Sequence, residues 1–405
     1  MNPTGRFEKA RVEPDLDWAF PDNHPSPLSS PLSSPLSSPQ HSTESAQAEF
    51  AGDPSEAGST EASEALEQIG ALEAVEAFEA TDALRTQTIP DPSRTAITFN
   101  DSPDIPFDAS LNPYRGCEHG CAYCYARPTH EYLGYSAGLD FESKILVKEN
   151  APALLRKELA AKRWKPQPVA LSGVTDAYQP VERRLGLTRR CLEVFLEFRN
   201  PVLIITKNAL VTRDIDLLKA LSEYQAVSVS LSITTLDGSL QRALEPRASS
   251  PAERLRAVEA LSEAGIPTGV MVAPIIPGLT DSEMPALLEA AASAGATRAG
   301  HIVLRLPHGL RDLFDDWLLT HRPLRREKVL HRLEAMRGGK LNDPRFGSRM
   351  RGEGHFADQI TDLFRIIARK HGLDAPHPPL STAAFQRPLG ADARHWNENQ
   401  LTLTF

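Results

Sequence analysis

Cysteine is scarce in this chain of 405 residues: there are four, and three of them fall within residues 117–124. So few thiols exclude a disulfide-stapled scaffold and point to a reducing, cytoplasmic compartment. Long apolar runs are missing too. No stretch of about 18 apolar residues occurs, so no membrane span is expected. The opening residues, MNPTGRFEKARVEPDLDW, carry no apolar stretch behind their few charges, which argues against a secretory signal. Basic residues are almost absent from the first ninety positions, where 16 Asp and Glu face 4 Lys and Arg, a net of −12. The remainder holds 37 acids and 40 bases, a net of +3, so the formal charge of −9 belongs to the N-terminal part. Residues 305–370 lean the other way, with 15 bases against 9 acids, a net of +6.

Residues 1–95 read as a disordered, acidic, low-complexity tail. SPLSSPLSSPLSSPQ (26–40) offers one Leu per repeat among Ser and Pro, too little to bury. Within 63–84, Leu66, Ile69, Leu72, Val75 and Phe78 recur every three residues. That narrow stripe suits either a transient helix in a solvated linker or a helix docking on a partner or on the basic C-terminal region.

From about residue 105 the texture changes. Apolar runs at 168–176, 201–208, 226–234, 267–278 and 299–307 alternate with helix-like segments at 151–164, 187–198, 212–224, 250–265 and 280–295. Ser250 before Pro251 reads as a helix start, and Gly265 and Gly295 as helix stops. Strands apolar on both faces, alternating with helices, indicate a parallel sheet with helical crossovers. With SLNPYRG as a first strand there are six β/α units, which suit a partial barrel or an open doubly wound sheet. In both, ligands bind at the C-terminal strand ends. Residues 311–375 read as a basic helical extension, and 376–405 as a weakly ordered tail.

The cysteine loop, NPYRGCEHGCAYCYARP (112–128), directly follows that first strand. Cys117, Cys121 and Cys124 are spaced C-x3-C-x2-C, and thiolates suit zinc or iron–sulfur clusters. Zinc needs a fourth ligand, for which His119 and His130 are nearest. An electron-carrying four-iron cluster normally takes a fourth cysteine, but Cys191 lies on a core-facing helical stripe with Leu187, Phe195 and Phe198. Three thiolates then leave one metal position open, as a catalytic centre requires.

This spacing, with aromatic Tyr123 before the last cysteine, resembles the signature of the radical S-adenosylmethionine (SAM) superfamily, and the resemblance spans roughly residues 105–310. NPYRGCEHGCAYCYA and TDAYQPVE look like the branch that includes spore photoproduct lyase and the PA0069/Rv2578c-type radical SAM proteins. The resemblance implies a partial (β/α)6 TIM-like barrel and a [4Fe-4S] cluster on Cys117, Cys121 and Cys124, with SAM on the open iron. An electron, from a donor such as a flavodoxin or ferredoxin, then splits SAM into methionine and a 5′-deoxyadenosyl radical that abstracts hydrogen from substrate. It also implies SAM partners at the strand ends: Thr175 and Asp176 for the amino group, Lys207 for the carboxylate, and Ser230, Ser232 and Thr234 for the ribose. Val272 to Ile276 would wall the adenine, with the Tyr123 backbone at its edge. Each has a plainer alternative: Asp176 capping a turn, Lys207 solvated, the hydroxyls packing within the barrel. Arg305 is read as facing a substrate phosphate or carboxylate, or else as a structural ion pair.

One departure stands out. The lyase is expected to carry a hydrogen-donating cysteine near the end of its second strand, and LSGVTD has none; Tyr178 is the nearest substitute. Three functions remain open on sequence: a radical SAM enzyme acting on a nucleic acid, one acting on a small molecule or protein side chain, or a non-enzymatic zinc scaffold.

Overall fold

Each of the five apolar runs forms a strand, and Ala109–Leu111 completes a sixth. The computed structural model describes residues 85–376 and 380–388. Its strands are β1 (Gln87–Pro90), β2 (Ile97–Phe99), β3 (Ala109–Leu111), β4 (Tyr114–Arg115), β5 (Lys144–Val147), β6 (Val169–Leu171), β7 (Val202–Thr206), β8 (Val227–Ser232), β9 (Thr268–Ile275) and β10 (Ala299–Val303). β3, β6, β7, β8, β9 and β10 lie side by side in that order, all parallel. β2 joins β3 antiparallel at one edge. This sequential order decides between the two architectures. A doubly wound sheet reverses at a switch point, and this one never does. Right-handed crossovers then put every connecting helix on the same face. The molecule is a partial (β/α)6 barrel, helices outside and a lumen within.

Strand alternation distinguishes the two faces. On β7, Val202, Ile204 and Thr206 are buried, whereas Ile205 is 37% exposed although β7 is the middle strand of the seven. An isoleucine so placed can be exposed only to an open lumen. On the outer side, the helix Leu187–Phe198 buries Leu187, Cys191, Leu192, Val194, Phe195 and Phe198 against the sheet. That is the apolar stripe of its 3.6-residue period. Cys191 is fully buried there. Ser250 caps the helix Pro251–Glu263 in a reciprocal box with Glu253, and Gly265 and Gly295 take the left-handed conformation just past their helices.

After β10 the chain forms helices Leu310–His321, Pro323–Ala335 and His355–Lys370. The first two share an apolar cluster with Cys121, Tyr123, Leu244 and Ile276, and Trp317 Nε1 donates to the Ala243 carbonyl at 2.9 Å. The third packs outside β10, where Phe364 lies 4.3 Å from the His301 ring. No helix among the described residues is long and apolar enough to cross a membrane.

Two expectations need correcting. The tail does not extend to 95: β1 pairs with β5, which pairs with β4, in a separate three-stranded sheet. A four-residue strand whose partner lies more than fifty residues on has no local signature. The tail from 376 is also partly packed. Phe385 lies against Phe198 with ring centroids 6.3 Å apart, and the Gln386 amide donates to the Phe198 carbonyl. The rest of the expected N-terminal tail, including the stripe at 63–84, and residues 389–405 lie outside the described residues.

Candidate functional site

The cysteine loop begins at Gly116, just after β4, so it sits at the C-terminal end of the barrel. Cys117 and Cys121 are buried and Cys124 is half-buried. Backbone bonds tie the loop to three other segments: Cys117 N–H to the Phe141 carbonyl, Ala122 N–H to that of Leu244, and Arg247 N–H to that of His119. Arg127, fully buried, braces it from behind. Its guanidinium donates to the carbonyls of Cys121 (2.9 Å), Gly120 (3.0 Å) and Gly138 (2.7 Å), and it faces Glu142 at 3.6 Å. Gln179 holds the other side, donating to the Gly116 carbonyl and accepting from Glu118 N–H. Burial raises all three thiols, Cys121 to about 12, where Glu245 adds to the rise and Lys207 opposes it.

Gly120 allows the closest approach in this loop. Its φ is +65°, and a Cβ would lie 1.9 Å from Glu142 Oε2. Gly120→Ala combines the left-handed penalty with displacement of the carboxylate facing Arg127. It should cost about 2–4 kcal/mol, read as a lower urea midpoint.

The strand ends bring most of the expected residues together, in altered roles. Asp176 is a hub: its carboxylate accepts from Thr206 Oγ1 (2.7 Å), Lys207 N–H (2.8 Å) and Tyr178 N–H (2.9 Å), and lies 3.3 Å from His119 Nδ1. Burial alone would raise its pKa, but His119 and these donors hold it at about 2. It thereby fastens the end of β6 to the end of β7 and to the cysteine loop. Thr175 is buried and donates to the Tyr114 carbonyl. Lys207 places its ammonium 5.7 Å from the centre of the Tyr123 ring, where its charge reaches Cys121, Cys124 and Glu245. Ser230 and Ser232 share the inner face of β8, opposite Gly269 and Met271, and Thr234 lies two residues past the end of the strand. Thr234 is already engaged with Tyr123 and Glu245.

Val272 does not face the lumen. It is buried on the outer face, in register with His301, while half-buried Met271 and Ala273 alternate to the inside. The residue of this segment that packs with Cys121 and Tyr123 is Ile276. Tyr178 is fully buried, with Asp214 acting on its hydroxyl, so it is no substitute donor at the mouth. The tyrosine at the mouth is Tyr125, whose hydroxyl donates to the Gly173 carbonyl at 2.9 Å and whose ring lies 4.7 Å from the Arg305 guanidinium. His119 has both ring nitrogens engaged, by Asp176 and Asn208, and His130 Nε2 meets the Lys144 carbonyl at 3.0 Å. His119 therefore has no ring nitrogen to spare for a metal, whereas the buried His130 Nδ1 has no hydrogen-bond partner.

Sequence reasoning missed Glu245. It is fully buried, paired with the buried Arg254 and bonded to the hydroxyls of Tyr123 and Thr234. Its signal was a lone acid following an apolar helix turn, in ALEPR, before a proline that cannot continue a helix.

A family model described as the radical SAM superfamily matches residues 111–291. Over 282 residues the chain is 38% identical to the uncharacterized protein Rv2578c of Mycobacterium tuberculosis, spanning 69% of this chain and 80% of that relative. The chain belongs to the radical SAM superfamily. It is 29% identical over 196 residues to a radical SAM Nalpha-GlyT isomerase of Pseudomonas phage M6, covering 48% of this chain and 38% of the isomerase. A solved structure of spore photoproduct lyase complexed with dinucleoside spore photoproduct aligns with TM-score 0.51 at 18% identity, over 70% of this chain and 79% of the lyase. That likeness is one of fold. Radical SAM proteins are enzymes that use a [4Fe-4S] cluster and SAM and need a reductant. The residues of this radical SAM protein fit those cofactors. Three soft thiols share one loop, the fourth cysteine is withdrawn into the core, and an open lumen adjoins them.

Proposed function

We propose that this enzyme holds a [4Fe-4S] cluster on Cys117, Cys121 and Cys124 and acts on a substrate that carries a nucleobase. The observation that carries the cluster reading is the trio itself: three thiols on one braced loop, with Cys191 committed to the core. When bound, the cluster and SAM supply one-electron cleavage to methionine and a 5′-deoxyadenosyl radical, which abstracts hydrogen from the substrate. The protein's own part is to orient and to exclude water. Asp176 fixes the strand ends, Lys207 sets a cation beside the cysteines, and the inner hydroxyls of Ser230 and Ser232 offer polar partners for a ribose. Ile276 and Tyr123 supply an apolar wall, with Tyr123 pinned by Glu245. Residues 105–310 act as the catalytic barrel, and 311–375 close one side of it. The electron comes from a cytoplasmic flavodoxin or ferredoxin.

A nucleobase-bearing substrate is favoured by the arginines and aromatics at the mouth and by the +6 balance of residues 305–370. The test is anaerobic reconstitution with iron and sulfide, then SAM and dithionite, with 5′-deoxyadenosine quantified. The nucleoside is expected, with its yield rising when nucleic acid is added. No nucleoside, together with tight stoichiometric zinc, overturns the cluster reading. Nucleoside whose yield responds to small metabolites without a nucleobase, but to no nucleotide or nucleic acid, overturns the substrate class.

A further inference from the structure

Aromatic rings and guanidiniums alternate from the cysteine loop to the surface. Tyr125, next to Cys124, carries Arg305 over its ring. The segment that leads into Arg305 is tied to the loop that carries Arg349: Val303 N–H donates to the Met350 carbonyl at 2.9 Å, and the Arg337 guanidinium donates to the carbonyls of Leu304 (2.6 Å) and Arg349 (3.1 Å). Arg349 donates to Asp104 (2.5 Å) and Ser102 (2.6 Å), and its guanidinium lies 4.5 Å from the centre of the Phe346 ring. Phe346 is 58% exposed. An exposed phenylalanine on a floppy loop would mean little, but this loop is fastened. Gly347 N–H donates to Asp104 at 2.7 Å, Ser348 Oγ to Asp343 at 2.7 Å, and Arg337 to the Arg349 carbonyl at 3.1 Å. Arg345 stands 65% exposed beside it, paired with Asp343 and Glu353. Arg337 is buried beneath the loop, and the segment to which the loop belongs, residues 305–370, holds 15 bases against 9 acids, a net of +6.

We infer that the loop 343–354 is a strand-binding lip, on which a base of single-stranded nucleic acid stacks on Phe346 while its phosphates follow the arginines toward Tyr125 and the cysteine loop. This rests on the nucleobase reading above and adds to it the element that engages the polymer. The physics is that of single-strand binders: an aromatic face takes any base, and a guanidinium behind it strengthens the stack and meets the phosphate. Arg349 covers one face of Phe346, and the ring's exposure leaves the other for a base. Charge complementarity selects a polyanion, and the aromatic step selects one that carries bases.

Fluorescence anisotropy of a fluorescein-labelled single strand of roughly 12 nucleotides, titrated with reconstituted protein, tests this. DNA and RNA of the same sequence serve as separate probes. Phe346→Ala should weaken binding about tenfold, and Phe346→Trp should retain it. The alanine variant should keep the wild-type salt slope, having removed no charge, whereas Arg345→Gln should flatten that slope by about one. Thermal melts should match wild type for both Phe346 variants, because the ring is exposed. If wild type binds and Phe346→Ala binds equally well, the lip is overturned while the nucleobase reading stands. If wild type binds neither strand, the lip is overturned, and the nucleobase reading then stands or falls on the nucleoside-yield assay described above.

Discussion

Alanine in place of Cys117, Cys121 or Cys124 should leave a folded protein that retains little iron and forms no 5′-deoxyadenosine above the protein-free level, a loss of at least about a thousandfold, because the cofactors carry the difficult step. Cys191→Ala should do the reverse. It removes a fully buried sulfur from the core behind β6 and β7, so a small cavity should cost about 1–2 kcal/mol, with iron content and nucleoside yield kept. Residue burial alone does not separate these cysteines, since Cys117, Cys121 and Cys191 are all buried. Surroundings do. Cys117 feels Cys121 and Cys124, whereas Cys191 has Glu182, Arg190 and Glu193 for its charged neighbours. Iron per chain, sulfide per chain and nucleoside yield, measured for the four variants, check the contrast. Equal losses in all four would mean that Cys191 also serves the cluster and that the helix Leu187–Phe198 moves to bring it there.

The parts of this architecture that were legible in the sequence are those whose cause is local. Val202–Thr206 reads as a strand because it is apolar on both faces, and Ser250 reads as a helix start because Pro251 and Glu253 follow it. The cysteine trio is legible because its ligands lie within one loop. What was not legible depends on parity or on distant partners. Val272 and Met271 are neighbours of similar character, and only the register with β8 and β10 shows which one faces the lumen. Thr175 and Asp176 were read as facing a ligand, and they are found joined to Tyr114, Thr206 and His119, 61, 30 and 57 residues away. Arg127 and Glu142 carry no sequence signal of their own, because the brace they form depends on the Cys121 and Gly120 carbonyls and on a partner fifteen residues along the chain. The same holds for Phe346, whose exposure is set by bonds to Asp104, more than two hundred residues earlier.

Glu245→Gln should be the most damaging substitution that leaves every cysteine in place. The glutamate is fully buried and its partner Arg254 almost so, which means that neutralising it leaves a guanidinium in the interior with no counter-charge. Breaking one side of such a pair costs about 3–5 kcal/mol, or about 5–8 °C in Tm for a folded part of this size. Acid should have a related effect on wild type. Burial alone would raise the Glu245 carboxyl, but Arg254, Lys207 and the Tyr123 hydroxyl outweigh it and hold it at about 2, below the ordinary value of 4.5. The folded state thus binds that proton less readily than the unfolded chain. The stabilisation is complete above pH about 4.5 and is lost as pH falls through that value toward 2. Asp176, also held at about 2, acts in the same direction, so the acid limb of Glu245→Gln should be shallower than that of wild type but not flat. Chemical denaturation between pH 2 and 7 measures both effects. The double variant Glu245→Gln, Arg254→Met separates charge from shape: with neither charge left to desolvate it should recover part of the lost stability. Nucleoside yield should recover less, because Tyr123, set between Cys121 and Cys124 in the chain, would still lack the carboxylate that fixes its hydroxyl.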